Sequence, residues 1–252
     1  MTETSPVRTR YTELDAIRGV AICMMVIFHL VFDLSFFSIY QVETSHGFWR
    51  LFGYLTAGLF VLVAGVAVAL REGRTPPSIS GYARVFPFFK RGFYLIGVGL
   101  LVTIGTYIFL HGEGYVIFGI LQLIGTSTIL APLFFRLGKK TLFPGIIIIL
   151  TGWMITLPNG PVWLLWAGIH PVDYISVDYT PLIPWFGVFL VGMAMGAWLY
   201  PNGLRSFQLP DRVEQTLYLP SIPGRHSLII YLVHQPVLLL ILSVLYGKIP
   251  GI

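Results

Sequence analysis

The chain has 252 residues, of which 56% are hydrophobic and only 11% are charged. Soluble domains average about 25% charged residues, so this composition excludes an ordinary water-soluble protein. The net charge of +5 does not indicate a nucleic-acid surface, because nearly all charged residues fall in short gaps between apolar runs. The single cysteine, Cys23, excludes a disulfide framework and a thiol metal site.

Apolar runs recur along the chain, most of them near the length of about 20 residues that a membrane span requires. The sequence predicts an all-α polytopic membrane protein with about seven transmembrane helices, at 17–38, 51–70, 92–110, 115–135, 141–157, 181–199 and 226–247. The gaps contain turn residues, as in RTPPSISG, HGEG and YPNG. The stretch WLLWAGI at 163–169 is predicted to be interfacial or re-entrant. Residues 1–16 are predicted to form a cytoplasmic tail, and 17–252 a single transmembrane domain.

The distribution of Lys and Arg predicts the orientation, because cytoplasmic loops carry an excess of both. With the N-terminus inside, fourteen of the 16 Lys and Arg residues are cytoplasmic, and only Arg50 and Lys248 lie outside. The C-terminus is then outside, and the chain is a multi-pass protein of the cell membrane. The first span is too long for the core of a cleavable signal peptide, and sixteen mostly polar residues precede it.

The first span carries ionisable residues, which are costly in a bilayer and therefore indicate function. Asp15 and Arg18 are three residues apart at the cytoplasmic mouth and can pair across one helical turn. His29 lies about 16 Å further along the helix, near mid-membrane, and Asp33 shares its face. A carboxylate beside a neutral imidazole orients it and makes it more basic, as a general base requires. The alternative is a buried His–Asp pair that only fixes helix packing.

The seventh span holds a second polar set. His234 lies about 13 Å beyond Arg225, so its depth should resemble that of His29 if both spans run outward. Pro236 should kink this helix and free backbone carbonyls, which indicates a polar cavity close to His234, Gln235 and Tyr231. A structural histidine bonded to a freed carbonyl is an equally good interpretation.

Two outer segments add candidates. The loop YQVETSHGFWR contains His46, and the stretch VDYISVDYTPLIPW contains Asp178, Tyr179 and Trp185. Acidic residues among aromatics suit hydroxyl- or amine-bearing acceptors such as sugars. The alternatives are an ordinary exposed histidine and an interfacial aromatic belt.

On the cytoplasmic side, Lys90 and Arg91 begin the third span and could form a cationic mouth together with Arg18. The alternative is ordinary positive-inside anchoring. The sequence contains no Walker A, zinc, haem or dinucleotide-binding pattern, and no metal cofactor is expected.

The stretch LDAIRGVAICMMVIFHLVFD resembles the opening helix of membrane acyltransferases related to heparan-α-glucosaminide N-acetyltransferase, the DUF1624 group. Three further stretches resemble that family in the same order: FGILQLIGTSTIL (118–130), DYTPLIPWFGVFLVGMAMG (178–196) and GRHSLIIYLVHQPVL (224–238). The first and last are also similar to the broader acyltransferase-3 group.

The resemblance implies acyl transfer from cytoplasmic acyl-CoA, expected to be acetyl-CoA, to an amine or hydroxyl of an extracytoplasmic glycan or lipid. The implied catalytic residues are His29, Asp33 and His46. The implied cofactor-binding residues are Asp15, Arg18, Lys90, Arg91, Gln122, His234 and Gln235. The implied acceptor-binding residues are Asp178, Tyr179 and Trp185.

The choice of catalytic base stays open between two histidines. In the lysosomal enzyme's branch the position matching His29 looks like Asn, and the catalytic His lies where this chain has His46. Acyltransferase-3 proteins instead use a His in the opening helix, which favours His29.

The alternative function is a proton-coupled transporter or lipid flippase that uses the same intramembrane residues as a proton relay. The predicted partners are membrane lipids, acyl-CoA and an acceptor outside, with self-association left open and no nucleic acid.

Overall fold

The computed structural model describes residues 10–154 and 159–247, and every regular element in these ranges is helical. Most of the predicted tail, together with Arg8, Lys248 and the end of the fifth predicted span (155–157), lies outside the described residues. The helices are α1 (Thr12–Phe36), α2 (Gly47–Gly73), α3 (Gly81–Phe109), α4 (Ile120–Leu130), α5 (Leu142–Met154), α6 (Leu182–Leu199), α7 (Asp211–Arg225) and α8 (Ser227–Tyr246).

Six helical stretches in the described ranges are long and apolar enough to cross a membrane. Backbone N–H and C=O groups have no water to bond in a bilayer, so helices that satisfy their own backbone are the expected solution. The prediction of a polytopic α-helical membrane protein is confirmed. The third span begins eleven residues earlier than predicted, at Gly81, and continues through Pro87.

The stretch Ile120–Met154 is one of the six, but it is interrupted by a 3₁₀ segment, Ala131–Thr141. Inside that segment Gly138 has φ +48° and ψ −120°, which is not helical. Helices α2 and α6 run in the same direction, since Leu62 meets Gly192 and Val66 meets Gly196. Parallel helices are separated by an even number of chain reversals. The chain turns back between α2 and α3, between α3 and α4, and between α5 and α6. A fourth reversal at Gly138, between α4 and α5, makes the number even and favours seven passes.

The residues divide into two compact units. The terminal unit consists of Met1–Leu59 and Leu209–Ile252, and therefore contains α1, the start of α2, α7 and α8. The central unit is Phe60–Gln208, with the rest of α2 and helices α3 to α6. The single transmembrane domain over 17–252 stays a prediction.

In the terminal unit, α7 packs antiparallel against the first turns of α1 through glycines. A Cβ on Gly224 would lie 1.7 Å from the carbonyl oxygen of Asp15, and one on Gly19 would lie 1.7 Å from that of Pro220. The two backbones are therefore in direct contact. The sequence analysis predicted no helix between the sixth and seventh spans, but the structure has one there, with Pro220 and Pro223 inside it and α1 packed against it.

In the central unit, small residues also bring helices together, as is common between membrane helices. A Cβ on Gly92 of α3 would lie 2.6 Å from the carbonyl oxygen of Gly125 on α4. A Cβ on Gly187 of α6 would lie 2.6 Å from that of Gly145 on α5. The predicted interfacial piece at 163–169 is a short 3₁₀ helix, Val162–Ala167, that ends at Gly168 with φ +99°.

Candidate functional site

Two histidines meet inside the terminal unit. His29 of α1 and His234 of α8 have ring centroids 4.8 Å apart, with the ring planes inclined by 76°. His234 is buried and His29 partly buried. The sequence analysis expected a similar depth for both residues, and the structure brings them into direct contact.

Hydrogen bonds to backbone carbonyls fix the same ring nitrogen in both residues. Nδ1 of His29 lies 3.0 Å from the carbonyl oxygen of Met25, and Nδ1 of His234 lies 2.6 Å from that of Tyr231. Because a carbonyl oxygen can only accept, each Nδ1 carries a proton, and in the neutral ring the lone pair then sits on Nε2. Each imidazole therefore presents Nε2 as a base.

Proline 236 does not supply the acceptor for His234. Because Pro236 lacks an N–H, the carbonyl that loses its helical donor is that of Leu232, four residues earlier. His234 is bonded to the neighbouring Tyr231 instead. In the structure, His234 is therefore not bonded to the carbonyl that Pro236 frees.

Asp33 is joined to α8 rather than to His29. The side-chain amide nitrogen of Gln235 donates to Oδ1 of Asp33 over 2.6 Å, and Asp33 is only 2% exposed. Among the described residues no hydrogen bond connects Asp33 with His29, whose ring N–H bonds Met25. The expectation that Asp33 orients His29 is therefore corrected: Asp33 holds the segment of α8 that carries His234.

Three buried polar atoms close to this pair have no hydrogen-bond partner among the described residues. They are Oδ2 of Asp33, Nε2 of His234 and Oε1 of Gln235. A buried polar atom left unpaired costs about 1–3 kcal/mol, so a group of them indicates a place that water or a polar ligand fills. The arrangement suits a polar substrate within an otherwise apolar bundle.

His46 occupies a different environment, the loop before α2. Its side chain is 75% exposed, and its Nδ1 lies 3.0 Å from Ser45 Oγ and 3.6 Å from Glu43. Hydrogen bonds from Ser45 lower the pKa of the Glu43 carboxyl below its usual value. Whether His46 has a catalytic role stays a prediction.

At the start of α1, Asp15 is buried and Arg18 donates to its Oδ1 over 2.9 Å, as the three-residue spacing predicted. Two further arginines approach the same carboxylate: Nε of Arg10 lies 3.7 Å and Nε of Arg225 lies 3.9 Å from Oδ2. The sequence analysis missed both: Arg10 lies before α1, outside any helical spacing, and neither spacing nor hydropathy places α7, which carries Arg225, beside α1.

The other predicted cofactor residues lie on helices of the central unit. Lys90 borders an open groove of about 610 Å³ formed with aromatic side chains of α3, and the Arg91 guanidinium lies 5.4 Å from the ring centroid of Tyr94. Gln122 accepts from the Gly119 N–H over 3.2 Å and donates to Thr103 Oγ1 over 3.1 Å. Gln122 thus caps α4 and ties it to α3. The cationic mouth of Arg18 with Lys90 and Arg91 stays a prediction.

Two of the predicted acceptor residues, Asp178 and Tyr179, stabilise the segment before α6 in the central unit. Asp178 Oδ2 accepts from the Ile120 N–H over 3.1 Å, at the positive end of α4. The hydroxyl of Tyr179 donates to the Leu165 carbonyl over 2.9 Å. Burial, followed by the neighbouring Tyr174, raises the pKa of Tyr179 to about 12, so its hydroxyl stays a donor at physiological pH.

Around Tyr179 the rings of His170 and Tyr174 form a cluster, with centroids 5.3–5.9 Å apart. Burial raises the pKa of Tyr174, and the neighbouring Ser176 opposes that rise. Trp185 lies in the first turn of α6. The sequence analysis did not single out His170. An acceptor role for Asp178, Tyr179 and Trp185 stays a prediction.

Within residues 10–154 and 159–247, no group of three His, Cys, Asp or Glu side chains could hold a metal ion. Comparison with known proteins shows which family the chain resembles. No curated protein and no solved structure matches the chain. The sequence model of the family described as heparan-alpha-glucosaminide N-acetyltransferase, catalytic, matches residues 10–236. That range is most of the 252 residues and includes the His29–His234 pair, so the chain belongs to this family of membrane acetyltransferases.

Proposed function

We propose that the protein transfers an acetyl group from cytoplasmic acetyl-CoA to an amine or hydroxyl of an extracytoplasmic glycan or lipid, at the cell membrane. The observation that carries the proposal is the contact of His29 with His234 in a chain of this family. An acyl transfer between two carriers needs a base that can take a proton and return it. Both imidazoles offer Nε2 for that purpose, since Nδ1 of each is occupied by a carbonyl.

In this proposal Nε2 of His29 takes the proton of the acceptor as its oxygen or nitrogen attacks the thioester carbon. The carbon–sulfur bond then breaks, and the proton on His29 returns to the leaving thiolate. The products are the acetylated acceptor and CoA, with no net change in protons on the enzyme. A second imidazole at 4.8 Å adds polarity around His29 in an apolar bundle.

The hydrogen bond between Asp33 and Gln235 helps to hold His29 and His234 in place. Their 2.6 Å hydrogen bond ties α8 to α1 one residue beyond His234 and four beyond His29. A mid-membrane base must be held by its neighbours to within a fraction of an ångström, and this bond supplies one such restraint.

The proposal is tested by binding and by turnover. Purified protein in zwitterionic nanodiscs should be stabilised by acetyl-CoA or CoA, by about 2.7 kcal/mol at a ligand concentration of 100 Kd. A screen of amino sugars and hydroxyl-bearing envelope glycans should then identify an acceptor that releases CoA. A protein that shows no stabilisation by any acyl-CoA, yet moves a solute or lipid across vesicles, would make the transporter alternative correct.

A further inference from the structure

The predicted cytoplasmic side of the central unit carries a large excess of positive charge. Its three stretches on that side, residues 71–91, 131–141 and 199–208, all lie within the described part of the chain. They contain one acidic residue, Glu72, and its carboxylate accepts a hydrogen bond from Arg84. The same stretches contain nine cationic residues: Arg71, Arg74, Arg84, Lys90, Arg91, Arg136, Lys139, Lys140 and Arg205. This side of the central unit therefore needs counterions that the three stretches do not supply.

Three of these cations lie on the 3₁₀ segment Ala131–Thr141, between α4 and α5. Arg136, Lys139 and Lys140 are all exposed. Within residues 10–154 and 159–247, none of their side chains forms a hydrogen bond or an ion pair. Their charged groups are therefore accessible to an anion from outside the chain.

Two adjacent aromatic residues fix the position of this segment. The ring of Phe135 packs against Phe88 of α3, with the centroids 4.9 Å apart, and the ring of Phe134 packs against Phe186 of α6 at 5.5 Å. Phe88 is only 1% exposed. The segment is thus held to two helices of the central unit, so the fold places its cations before any ligand binds.

Apolar side chains are exposed beside the cations. Leu133 is 75% exposed and Leu137 is 41% exposed, and Phe143, in the first turn of α5, is 65% exposed. The helices on both sides belong to a stretch that is apolar and long enough to cross a membrane. Apolar residues interleaved with Lys and Arg are typical of a segment at the membrane surface, where the former meet acyl chains and the latter reach headgroups. A phospholipid satisfies both kinds of side chain, whereas a soluble anion satisfies only the cations.

We propose that the segment Ala131–Thr141 binds an anionic phospholipid of the cytoplasmic leaflet. Its phosphate contacts Arg136, Lys139 and Lys140, and its acyl chains lie along Leu133 and Leu137. Anionic lipids give this leaflet a negative surface potential, and each Lys or Arg near it adds about fivefold to the affinity. The inference goes beyond the proposed acetyl transfer and does not depend on it. Because a ligand that binds only the folded chain stabilises it, the lipid should also raise the unfolding temperature.

The experiment titrates the full chain in a neutral maltoside detergent with phosphatidylglycerol or phosphatidylcholine. Native mass spectrometry measures lipid binding, and thermal unfolding measures stabilisation. The wild type should bind phosphatidylglycerol more tightly than phosphatidylcholine. Lys139→Gln combined with Lys140→Gln should weaken phosphatidylglycerol binding by about tenfold or more and leave phosphatidylcholine binding unchanged. Lys139→Arg combined with Lys140→Arg should keep the wild-type affinity, because both charges remain.

The matched control is Arg205→Gln combined with Arg212→Gln. It removes the same charge from the same predicted side of the membrane but outside the segment, so the affinity for phosphatidylglycerol should not change. Leu137→Ser tests the apolar part of the site, since it should weaken phosphatidylglycerol binding by about threefold with no change in charge. Neither inorganic phosphate nor CoA should displace the bound lipid.

Equal loss of phosphatidylglycerol binding in the two double variants would contradict the inference, because it would reveal general attraction to surface charge and no site. Equal affinity of the wild type for the two lipids would overturn it without the use of any variant. Displacement of the lipid by CoA or inorganic phosphate, with full binding in Leu137→Ser, would assign the cations to a soluble anion instead. Equal unfolding temperatures of all variants in detergent without added lipid separate lost binding from lost fold. None of these outcomes bears on acetyl transfer, which is tested separately by CoA binding and turnover.

Discussion

The side-chain amide of Gln235 donates a 2.6 Å hydrogen bond to the buried carboxylate of Asp33, across 202 residues of sequence. This bond ties α8 to α1 next to the His29–His234 contact, whose centroids lie 4.8 Å apart. The first prediction concerns His29, the second contrasts it with His46, and the third concerns the bond between Asp33 and Gln235.

His29→Ala should lower acetyl transfer by about 10²–10⁴-fold, the contribution of a general base. The variant should fold and still bind acetyl-CoA, because the cofactor phosphates are predicted to lie near Arg18, toward the other end of α1. Consumption of acetyl-CoA at saturating acceptor, together with CoA binding, measures both effects. Near wild-type turnover would show that His29 is not the base.

His46→Ala provides the contrast, because His46 is the residue that the lysosomal pattern favours. Its exposed side chain contacts Ser45 and Glu43, so we expect a mild effect on turnover. A loss as large as that predicted for His29→Ala would assign the base to the outer loop instead.

Asp33 and Gln235 should be energetically coupled. A double-mutant cycle with Asp33→Ala and Gln235→Ala should give a coupling free energy of at least about 1 kcal/mol in detergent unfolding experiments, because each single change leaves the other polar group buried without its partner. Additive losses would contradict the bond. Asp33→Asn should lose less turnover than His29→Ala, since its amide oxygen can still accept from Gln235.

The contact of α7 with α1 should tolerate no side chain at its glycines. Gly224→Ala and Gly19→Ala would each place a Cβ 1.7 Å from a backbone oxygen, so both should lower the unfolding temperature or abolish folding. Gly97→Ala on α3 is the control, since nothing lies within 4 Å of its Cβ and alanine favours helix by about 1 kcal/mol. Equal stability of all three variants would mean that α7 does not pack on α1.

The membrane orientation can be tested with reporter fusions. Fusions after residues 80, 112, 138, 170 and 210 should read inside, outside, inside, outside and inside, and a fusion to the C-terminus should read outside. The decisive position is 138, because a single pass over Ile120–Met154 would put 112 and 170 on opposite sides. An inside reading at the C-terminus would show that the spans were miscounted.

The sequence by itself determined the class of the protein, the approximate limits of its apolar helices and its family. These properties are local: a run such as LVTIGTYIF must form a helix in lipid wherever its neighbours are, because its backbone has no other hydrogen-bond partner there. The spacing of Asp15 from Arg18 likewise predicted a pair that one helix can form alone.

Only the tertiary structure decided which residues from distant parts of the chain meet. Gln235 takes Asp33 away from His29, Arg225 joins Asp15, and Asp178 and Gln122 turn out to cap α4. The α7 helix, polar and containing two prolines, has no apolar pattern that would predict it, and it exists where glycine lets its backbone touch α1. Such contacts depend on the close approach of whole helices, and no local pattern records that approach.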